Sequence, residues 1–349
     1  MASLSVVIVS HDSRTALGST LPALVAQLRE GDQLIVVDNR SGDGTPALVR
    51  ELAPAARVIE TGANLGFAAG CNRGVEAASG ELVCLLNPDA LPQAGWREAI
   101  ERPLAEARGW AAWQALVTAD AGKTINTRGG VVHFTGIAWA GGAGEKVPTG
   151  SAEVLAGTPA EPGFVSGACL AIERERYLAA GGMPAEFFLY HEDVDLSLRL
   201  RLAGGRLGVE PAARVDHQYE FAKGSYKWRY LERNRWATII RTYPAPLLLA
   251  LGPALVATEL ALLAVAAAGG WLPQKLRAAG ETLAALPRLV RERRAIQASR
   301  TIGAGEFARA LTAELDSAYL GAAARSPLLL AGLRAYWTLV LVVLGARRP

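Results

Sequence analysis

Cysteine is scarce in this sequence of 349 residues, and its three copies form no close pair. Cys71, Cys84 and Cys169 are an odd number without metal-type spacing, which argues against a disulfide framework and a cysteine-bound metal. Cys84 and Cys169 lie in apolar runs, where a thiol packs as a small core residue. The pattern is typical of a protein from a reducing cytoplasm.

A charged segment followed by an apolar run is absent from the N-terminus, so we expect no signal peptide. No stretch in the body of the chain interleaves basic and aromatic residues, so we expect no nucleic-acid partner. Residues 287–349, however, carry ten arginines against four acidic residues. This basic and apolar tail indicates contact with an anionic membrane surface.

Hydrophobic residues make up 51% of the chain, enough for a large core, and the N-terminal part alternates strand and helix patterns. Apolar runs rich in Val and Ile predict buried parallel strands, and the segments between them predict the crossover helices of a doubly wound α/β sheet. The predicted strands are Leu4–Val9, Gln33–Asp38, Arg57–Glu60 and Glu81–Leu86, and the predicted helices lie near residues 15–29, 45–53 and 67–79.

The middle of the chain carries weaker signals. Residues 120–162 are rich in glycine and predict hairpins and a mobile loop over the cleft. Gly163–Ile172 predicts a further buried strand, and a helix is expected from Glu173 to Ala180, where a glycine pair ends it. Val194–Leu202 alternates apolar and polar residues like a strand, but its Leu, Arg and Ser content and the glycine pair that follows favour a helix.

Two prolines in Tyr243-Pro244-Ala245-Pro246 block helix continuation and predict a domain boundary. Residues 1–243 then form one large α/β domain, and residues 244–349 form a helical, apolar and basic region.

Polar residues follow three of the predicted strands, at the edge where doubly wound sheets bind their ligands. Ser10-His11 follows the first strand, Asp38 ends the second, and Asn87-Pro88-Asp89 follows the fourth. The Asp38 carboxylate can accept hydrogen bonds from a base or ribose, or it can cap the next turn. Pro88 holds Asp89 off the strand end, where a carboxylate can bind Mg²⁺ or Mn²⁺, although Asn-Pro-Asp is also a good turn sequence.

Three further segments carry candidate chemistry. Asn64 and Gly66 lie in a glycine-rich segment at a helix start, where backbone amides suit anions, or they form an ordinary loop. Glu192-Asp193 can supply a general base, or the two acids can complement a helix dipole. His217 can complete a metal shell or have a structural role. Together these segments suggest group transfer from a nucleotide-activated donor.

In this order the motifs resemble those of the inverting family 2 glycosyltransferases, which have the GT-A fold. The resemblance covers residues 4–243 and is strongest to the rhamnosyl- and galactofuranosyl-transferase branch that builds bacterial cell-surface polysaccharide. It is carried by Ser5-Val6-Val7-Ile8-Val9-Ser10, Val36-Val37-Asp38-Asn39-Arg40-Ser41, Asn64-Leu65-Gly66-Phe67, Leu86-Asn87-Pro88-Asp89-Ala90, His191-Glu192-Asp193-Val194-Asp195 and Glu232-Arg233-Asn234-Arg235-Trp236.

The resemblance implies a nucleotide-binding half, 4–90, an acceptor half, 91–243, and a role for each matching residue. Asn87 stands where the family's Asp-x-Asp element often has its first acid, and Ser10-His11-Asp12 replaces the usual Thr-Tyr-Asn. The implied roles are nucleotide binding for Ser10, His11, Asp38, Asn64, Gly66 and Asn87; metal binding for Asp89 and His217; catalysis for Asp193 and Glu192; and contact with the diphosphate and the acceptor for Arg235 and Trp236.

The implied function is metal-dependent, inverting transfer of a rhamnose-like or galactofuranose-like sugar from a nucleoside-diphosphate sugar to an acceptor hydroxyl. Mg²⁺ or Mn²⁺ would be the cofactor, and Asp193 would take the proton of that hydroxyl. Two other classes stay open. One is a non-catalytic nucleotide-sugar-binding or scaffolding protein of the same fold. The other, a nucleotidyltransferase, is disfavoured because no N-terminal Gly-rich triphosphate loop is present.

Ala245–Ala268 is 24 residues long with Glu259 as its one charge, enough to span a bilayer at about 1.5 Å per residue. A second apolar stretch, Pro327–Leu344, is interrupted by Arg334. If both spanned, the arginines between them would lie outside, against the positive-inside tendency. We therefore expect in-plane or re-entrant helices on the cytoplasmic face of the membrane and a lipid-linked acceptor. A soluble dimerisation tail is the alternative, and a homo-oligomer stays open.

Overall fold

The computed structural model describes residues 2–148, 161–217, 224–316 and 326–346. Its contacts separate two compact units. The first comprises Met1–Gly130, Ala140–Ser197 and Gly205–Tyr219, and the second comprises Val131–Trp139, Leu198–Gly204 and Glu220–Pro349. The domain boundary expected near residue 243 stays a prediction, and residues 149–160 of the expected mobile loop lie outside the described part.

A mixed sheet forms the centre of the first unit. In the described residues it has nine strands in the order β3-β2-β1-β4-β10-β6-β11-β5, with β7 paired to β6. The strands are β1 (Leu4–Ser10), β2 (Gln33–Asp38), β3 (Arg57–Glu60), β4 (Leu82–Leu86), β5 (Ala90–Pro92), β6 (Trp110–Ala119), β7 (Thr124–Thr127), β10 (Cys169–Glu173) and β11 (Arg206–His217), while β8 (Gly130–Val132) and β9 (Ala138–Ala140) form a separate ribbon.

Strands β1 to β4 are mutually parallel, as the apolar runs predict, whereas β10 is antiparallel to both of its neighbours. The mixed α/β sheet of the GT-A type is thereby confirmed. The helices of this part are α1 (Arg14–Val25), α2 (Thr45–Leu52), α3 (Gly66–Ala77), α4 (Trp96–Ala105), α5 (Arg174–Ala179), a short 3-10 helix (Ala185–Phe187) and α6 (Glu192–Leu202).

Two ambiguous segments have different outcomes. The helix expected over Val194–Leu202 is confirmed as part of α6, so residue type predicted better than apolar period. The strand expected over Gly163–Ile172 is wrong for its first six residues, because β10 begins only at Cys169. Ser166-Gly167 interrupts the apolar run there, and a turn precedes the strand.

Helix α3 packs unusually close to β1 because two of its glycines face the strand. A Cβ on Gly70 would lie 2.6 Å from Val9 Cγ1, and a Cβ on Gly74 would lie 2.2 Å from Val7 Cγ1. Both distances are far below van der Waals contact, so any larger residue would push the helix away. This approach fixes the position of the α3 N-terminus beside the ends of β1 and β2.

The second unit is mainly helical. Its described helices are α7 (Tyr226–Thr242), α8 (Ala245–Ala268), α9 (Leu272–Ala298), α10 (Ala304–Ala308) and α11 (Pro327–Val343). Helix α7 ends before Tyr243, which is extended, and Pro246 occupies the first turn of α8, where a missing N–H costs no hydrogen bond. Within the described residues, α8 is the one helix long and apolar enough to cross a membrane.

Candidate functional site

The turn after β4 carries the predicted metal residues. Strand β5 pairs antiparallel with β11, with Ala90 opposite His217, so the register brings Asp89 beside the imidazole. His217 Nε2 lies 3.1 Å from Asp89 Oδ1 and 3.2 Å from Asn87 Nδ2. Asp89 and His217 are 128 residues apart in sequence, and the pairing of β5 with β11 brings them together.

This donor set fits a divalent cation. One carboxylate oxygen and one imidazole nitrogen converge, and Mn²⁺ accepts both donor types while Mg²⁺ favours oxygen. The Asp89 side chain is 26% exposed whereas that of His217 is 5% exposed, so the carboxylate faces the accessible side. The described ranges contain no group of three or more His, Cys, Asp and Glu that could hold a metal ion, here or elsewhere, so phosphate oxygens and water would have to complete a shell around Asp89 and His217.

The predicted base lies in the first turn of α6. The Asp193 carboxylate accepts a hydrogen bond from Gly167 N at 3.0 Å and another from Val194 N at 2.8 Å. Glu192 is buried, and its Oε2 has no hydrogen-bond partner among the described residues. The amides of Gly167 and Val194 therefore stabilise negative charge on Asp193, whereas the backbone hydrogen bond that supports charge on Glu192 comes from its own amide.

The two acids differ in how their surroundings affect protonation. Burial, and then the charge of Asp193, raise the pKa of Glu192 well above its ordinary value. Burial also raises the pKa of Asp193, but the amides of Gly167 and Val194 lower it in part. Adjacent buried acids resist double ionisation, and the amides of Gly167 and Val194 favour negative charge on Asp193.

The short segment Ser166-Gly167-Ala168 connects the two acid sites. Gly167 N donates to Asp193, and the next residue, Ala168, accepts a hydrogen bond from Asn87 N at 3.0 Å through its carbonyl. The predicted metal-binding turn and the predicted base are therefore attached to consecutive residues of one segment. The structure brings these residues, which are distant in sequence, to one edge of the sheet.

Asp38 ends β2 as expected, but its carboxylate is occupied. It accepts hydrogen bonds from Ser41 Oγ at 2.6 Å, Ser41 N at 2.9 Å and Ser10 Oγ at 3.2 Å. His11 Nδ1 lies 2.9 Å from the Asn39 carbonyl oxygen. These contacts agree with the turn-capping alternative for Asp38, and its contact with a nucleotide stays a prediction.

The glycine-rich segment at the start of α3 is also internally bonded. Asn64 Oδ1 accepts from Gly66 N at 3.0 Å, and Asn39 Nδ2 donates to the Gly66 carbonyl at 2.9 Å. The next two amides, of Phe67 and Ala68, both donate to the carbonyl of Phe188, at 2.6 and 3.3 Å. These two amides are already committed to protein, so the expected anion cradle does not rest on them.

Arg235 and Trp236 belong to the second unit, in α7. The guanidinium of Arg235 is buried and pairs with Glu232 and Glu259, and Lys275 pairs with the same two carboxylates. The Arg235 guanidinium also donates to the Thr135 carbonyl at 3.0 Å. Burial lowers the pKa of Arg235, but the facing carboxylates outweigh it and hold that pKa above its ordinary value. The diphosphate role of Arg235 and the acceptor role of Trp236 stay predictions.

Sequence reasoning assigned no role to Gly167, Phe67 and Phe188. Gly167 was hidden inside a predicted strand, although the Ser-Gly pair in an apolar run was the signal of a turn. Phe188 has a φ of 66°, which non-glycine residues rarely adopt, and nothing in its local sequence indicates that conformation. The contacts of these residues depend on chain segments that only the fold brings together.

A mixed α/β sheet with an acidic turn after β4 and a second carboxylate at a helix start is the arrangement of the GT-A fold. Residues 5–137 match the family model described as Glycosyl transferase family 2. Over these residues the chain is therefore similar to the family 2 glycosyltransferases.

Similar proteins agree with this assignment. The N-acetylglucosaminyl-diphospho-decaprenol L-rhamnosyltransferase of Mycobacterium tuberculosis is 28% identical over 263 residues, which cover 68% of this chain and 83% of the relative. A mannosyltransferase from Pyrobaculum calidifontis, solved with GDP-Man and Mn²⁺, has a TM-score of 0.50 at 20% identity, covering 85% of this chain and 86% of that one.

GalNAc-T7, solved with UDP, GalNAc and Mn²⁺, has a TM-score of 0.54 at 15% identity. The match covers 70% of this chain and spans about half, 49%, of that protein. At these identities the solved structures establish the fold.

Proposed function

We propose that this glycosyltransferase moves a rhamnose-like or galactofuranose-like sugar, with inversion, from a nucleoside-diphosphate sugar to a hydroxyl of a lipid-linked glycan acceptor. The observation that carries the proposal is the pair of hydrogen bonds that attach Asp193 and Asn87 to Gly167 and Ala168. A base and a candidate metal-binding turn at one sheet edge are what single-displacement transfer requires.

Asp193 acts as the general base in this proposal. It keeps its negative charge through two backbone donors, and it removes the proton of the acceptor hydroxyl as that oxygen attacks the anomeric carbon. The nucleoside diphosphate leaves from the opposite face, which inverts the configuration. Glu192 lies buried beside it, where burial and the neighbouring Asp193 charge raise the pKa of Glu192 and so favour its neutral form.

Asp89 and His217 would hold a divalent cation, because their oxygen and nitrogen donors converge within 3.1 Å of each other. When bound, such an ion stabilises the charge that develops on the leaving diphosphate. Asn87 orients the site, since its amide lies 3.2 Å from the imidazole of His217. The two solved structures with Mn²⁺ support a divalent metal in proteins of this fold.

The lipid-linked acceptor is proposed from two observations. The mycobacterial relative is named for a diphospho-decaprenol substrate. In the second unit, α8 exposes Leu249, Val256 and Leu260 by 82%, 62% and 64%, and its one charged residue, Glu259, pairs with Arg235 and Lys275. A helix with an exposed apolar face and a paired charge suits insertion in the plane of an anionic leaflet. We place this surface on the cytoplasmic face of the membrane.

A product assay tests the proposal. Purified protein would be incubated with a panel of nucleotide sugars, MnCl₂ and a polyprenyl-diphosphate glycan in vesicles, and products would be separated by mass. A new glycolipid from one donor, with inverted anomeric configuration by NMR, is the expected result. Binding of a donor without any product from the whole panel would instead favour the scaffolding alternative.

A further inference from the structure

Phe67 packs against the residue whose amide donates to Asp193. It is the first residue after Gly66, and its ring packs on Gly167: a Cβ built on Gly167 would lie 3.0 Å from Phe67 Cε1 and 3.2 Å from Cζ. The same built Cβ lies 3.8 Å from Asp193 Oδ2. The aromatic ring and the carboxylate therefore meet at the same glycine, whose amide is the donor to Asp193.

The backbone of Phe67 contacts the segment that leads into the acid pair. Phe67 N and Ala68 N both donate to the Phe188 carbonyl, and a Cβ on Gly66 would lie only 2.5 Å from that oxygen. Phe188 has a φ of 66°, and Tyr190 and His191, just before the acids, also have positive φ values of 69° and 67°. Three non-glycine residues in this region are strained, and the surrounding contacts must hold them there.

One turn further along α3, Cys71 also lies near Glu192 and Asp193. Cys71, four residues after Phe67, is buried, and burial followed by the charges of Glu192 and Asp193 raises the pKa of its thiol. The side of α3 that presents Phe67 therefore faces the acid pair. Phe67 thus contacts Gly167, the donor to Asp193, through its ring, and Phe188, in the segment that leads to the acids, through its amide.

We propose that Phe67 is a positioning residue that sets the Asp193 carboxylate by packing its ring on Gly167. The inference rests on the proposed role of Asp193 as general base. It assigns to the Asn64–Phe67 segment a function in orienting the base, in contrast to direct contact with the donor. Small displacements of a base are costly, since about 1 Å can reduce turnover by about 100-fold.

The test separates turnover from donor binding. Phe67→Ala should lower kcat by about 10- to 100-fold, while the KM for the donor stays within about twofold. The shift of the thermal unfolding midpoint on addition of UDP, GDP or dTDP with MnCl₂ measures nucleotide binding independently of turnover. Arg73→Ala, an exposed substitution on the same helix, is the control and should leave both constants unchanged. If kcat is unchanged but the donor KM rises or the thermal midpoint no longer shifts with nucleotide, Phe67 contributes to donor binding and the inference is wrong.

A double-mutant cycle gives the sharper result. Gly167→Ala adds a methyl group against the ring and should also lower kcat, but the same methyl fits the space left by Phe67→Ala. The double variant should therefore lose less activity than the product of the two single losses. Multiplicative losses would exclude packing between the two residues as the cause.

Folding and function are separated by further variants. Phe67→Leu preserves most of the apolar volume and replaces Phe67→Ala if the latter fails to fold, as judged by circular dichroism. If Asp193→Asn retains turnover, the proposed function fails. If Asp193→Asn is inactive while Phe67→Leu and Gly167→Ala both keep the wild-type kcat, the positioning role alone is wrong.

Discussion

The amide of Gly167 lies 3.0 Å from Oδ2 of Asp193, and this contact connects two segments that are 26 residues apart in sequence. It orients the carboxylate and supports its negative charge at a buried position. The next residue in the chain, Ala168, accepts from Asn87 N, so the same segment also anchors the turn with Asp89. The catalytic properties expected of the site depend on this short segment.

Replacement of Asp193 tests the base directly. Asp193→Asn should reduce kcat by about 10²–10⁴-fold, because the amide cannot accept the hydroxyl proton, while thermal-shift binding of the nucleoside diphosphate persists. Glu192→Gln imitates a protonated carboxyl and should cost much less. Equal losses in both variants would contradict the assignment of the charge to Asp193.

The pH profile of kcat should show the raised pKa of Asp193. Burial raises that pKa, so the base becomes protonated and activity falls as pH decreases through a value above the ordinary aspartate value of about 3.9. Glu192 and the Cys71 thiol are two titratable groups that interact electrostatically with this carboxylate. The acid side of the pH profile is measured by initial rates between pH 4 and pH 8, roughly the range in which a perturbed carboxylate titrates. An acid limb at or below the ordinary aspartate value would contradict the desolvated site.

Metal dependence should follow Asp89. Asp89→Asn should raise the Mn²⁺ concentration for half-maximal activity by about 10-fold or more, because a neutral amide is a weaker ligand than a carboxylate. Glu51→Gln, on the exposed side of α2, is the matched control. The measurement is a MnCl₂ titration after EDTA treatment, and an unchanged midpoint for Asp89→Asn would remove this residue from the metal site.

The buried ion pairs of the second unit predict a stability effect. Arg235→Met removes one of the two cations that pair with Glu232 and Glu259 and leaves them with Lys275, and breaking such a buried set costs about 3–5 kcal/mol. Urea unfolding measures this loss, with exposed Arg294→Met as control. If Arg235 also contacts the diphosphate, the folded variant will lose the midpoint shift with UDP. A retained shift would leave Arg235 with a structural role.

The exposed apolar face of α8 predicts membrane binding. Leu249→Asp combined with Leu260→Asp should lower the affinity for vesicles of anionic and neutral lipid by about 100-fold, because burial of each leucine stabilises binding by about 1.5–3 kcal/mol. Co-sedimentation with such vesicles is the measurement. Leu178→Asp, at an exposed leucine of the first unit, should have no effect. If all three proteins sediment equally, this face does not bind the bilayer.

Much of the fold was predictable from local patterns. The parallel strands of the N-terminal half have continuous apolar runs, and two of them, Gln33–Asp38 and Arg57–Glu60, have the predicted bounds. Asp89 was recognisable because it lies in the turn after β4, and Asp193 because it lies in the first turn of α6. The turn that delays β10 until Cys169 was missed, because its Ser166-Gly167 signal lies inside an otherwise apolar run.

Residue type and apolar period were enough to locate most strands and helices of this chain and to place its acids at strand ends. They could not indicate that Gly167 supports Asp193, that the Ala90–His217 register brings Asp89 to the imidazole, or that Phe188 holds the start of α3. Each of these contacts joins residues far apart in the chain, and no local propensity encodes the partner that packing selects.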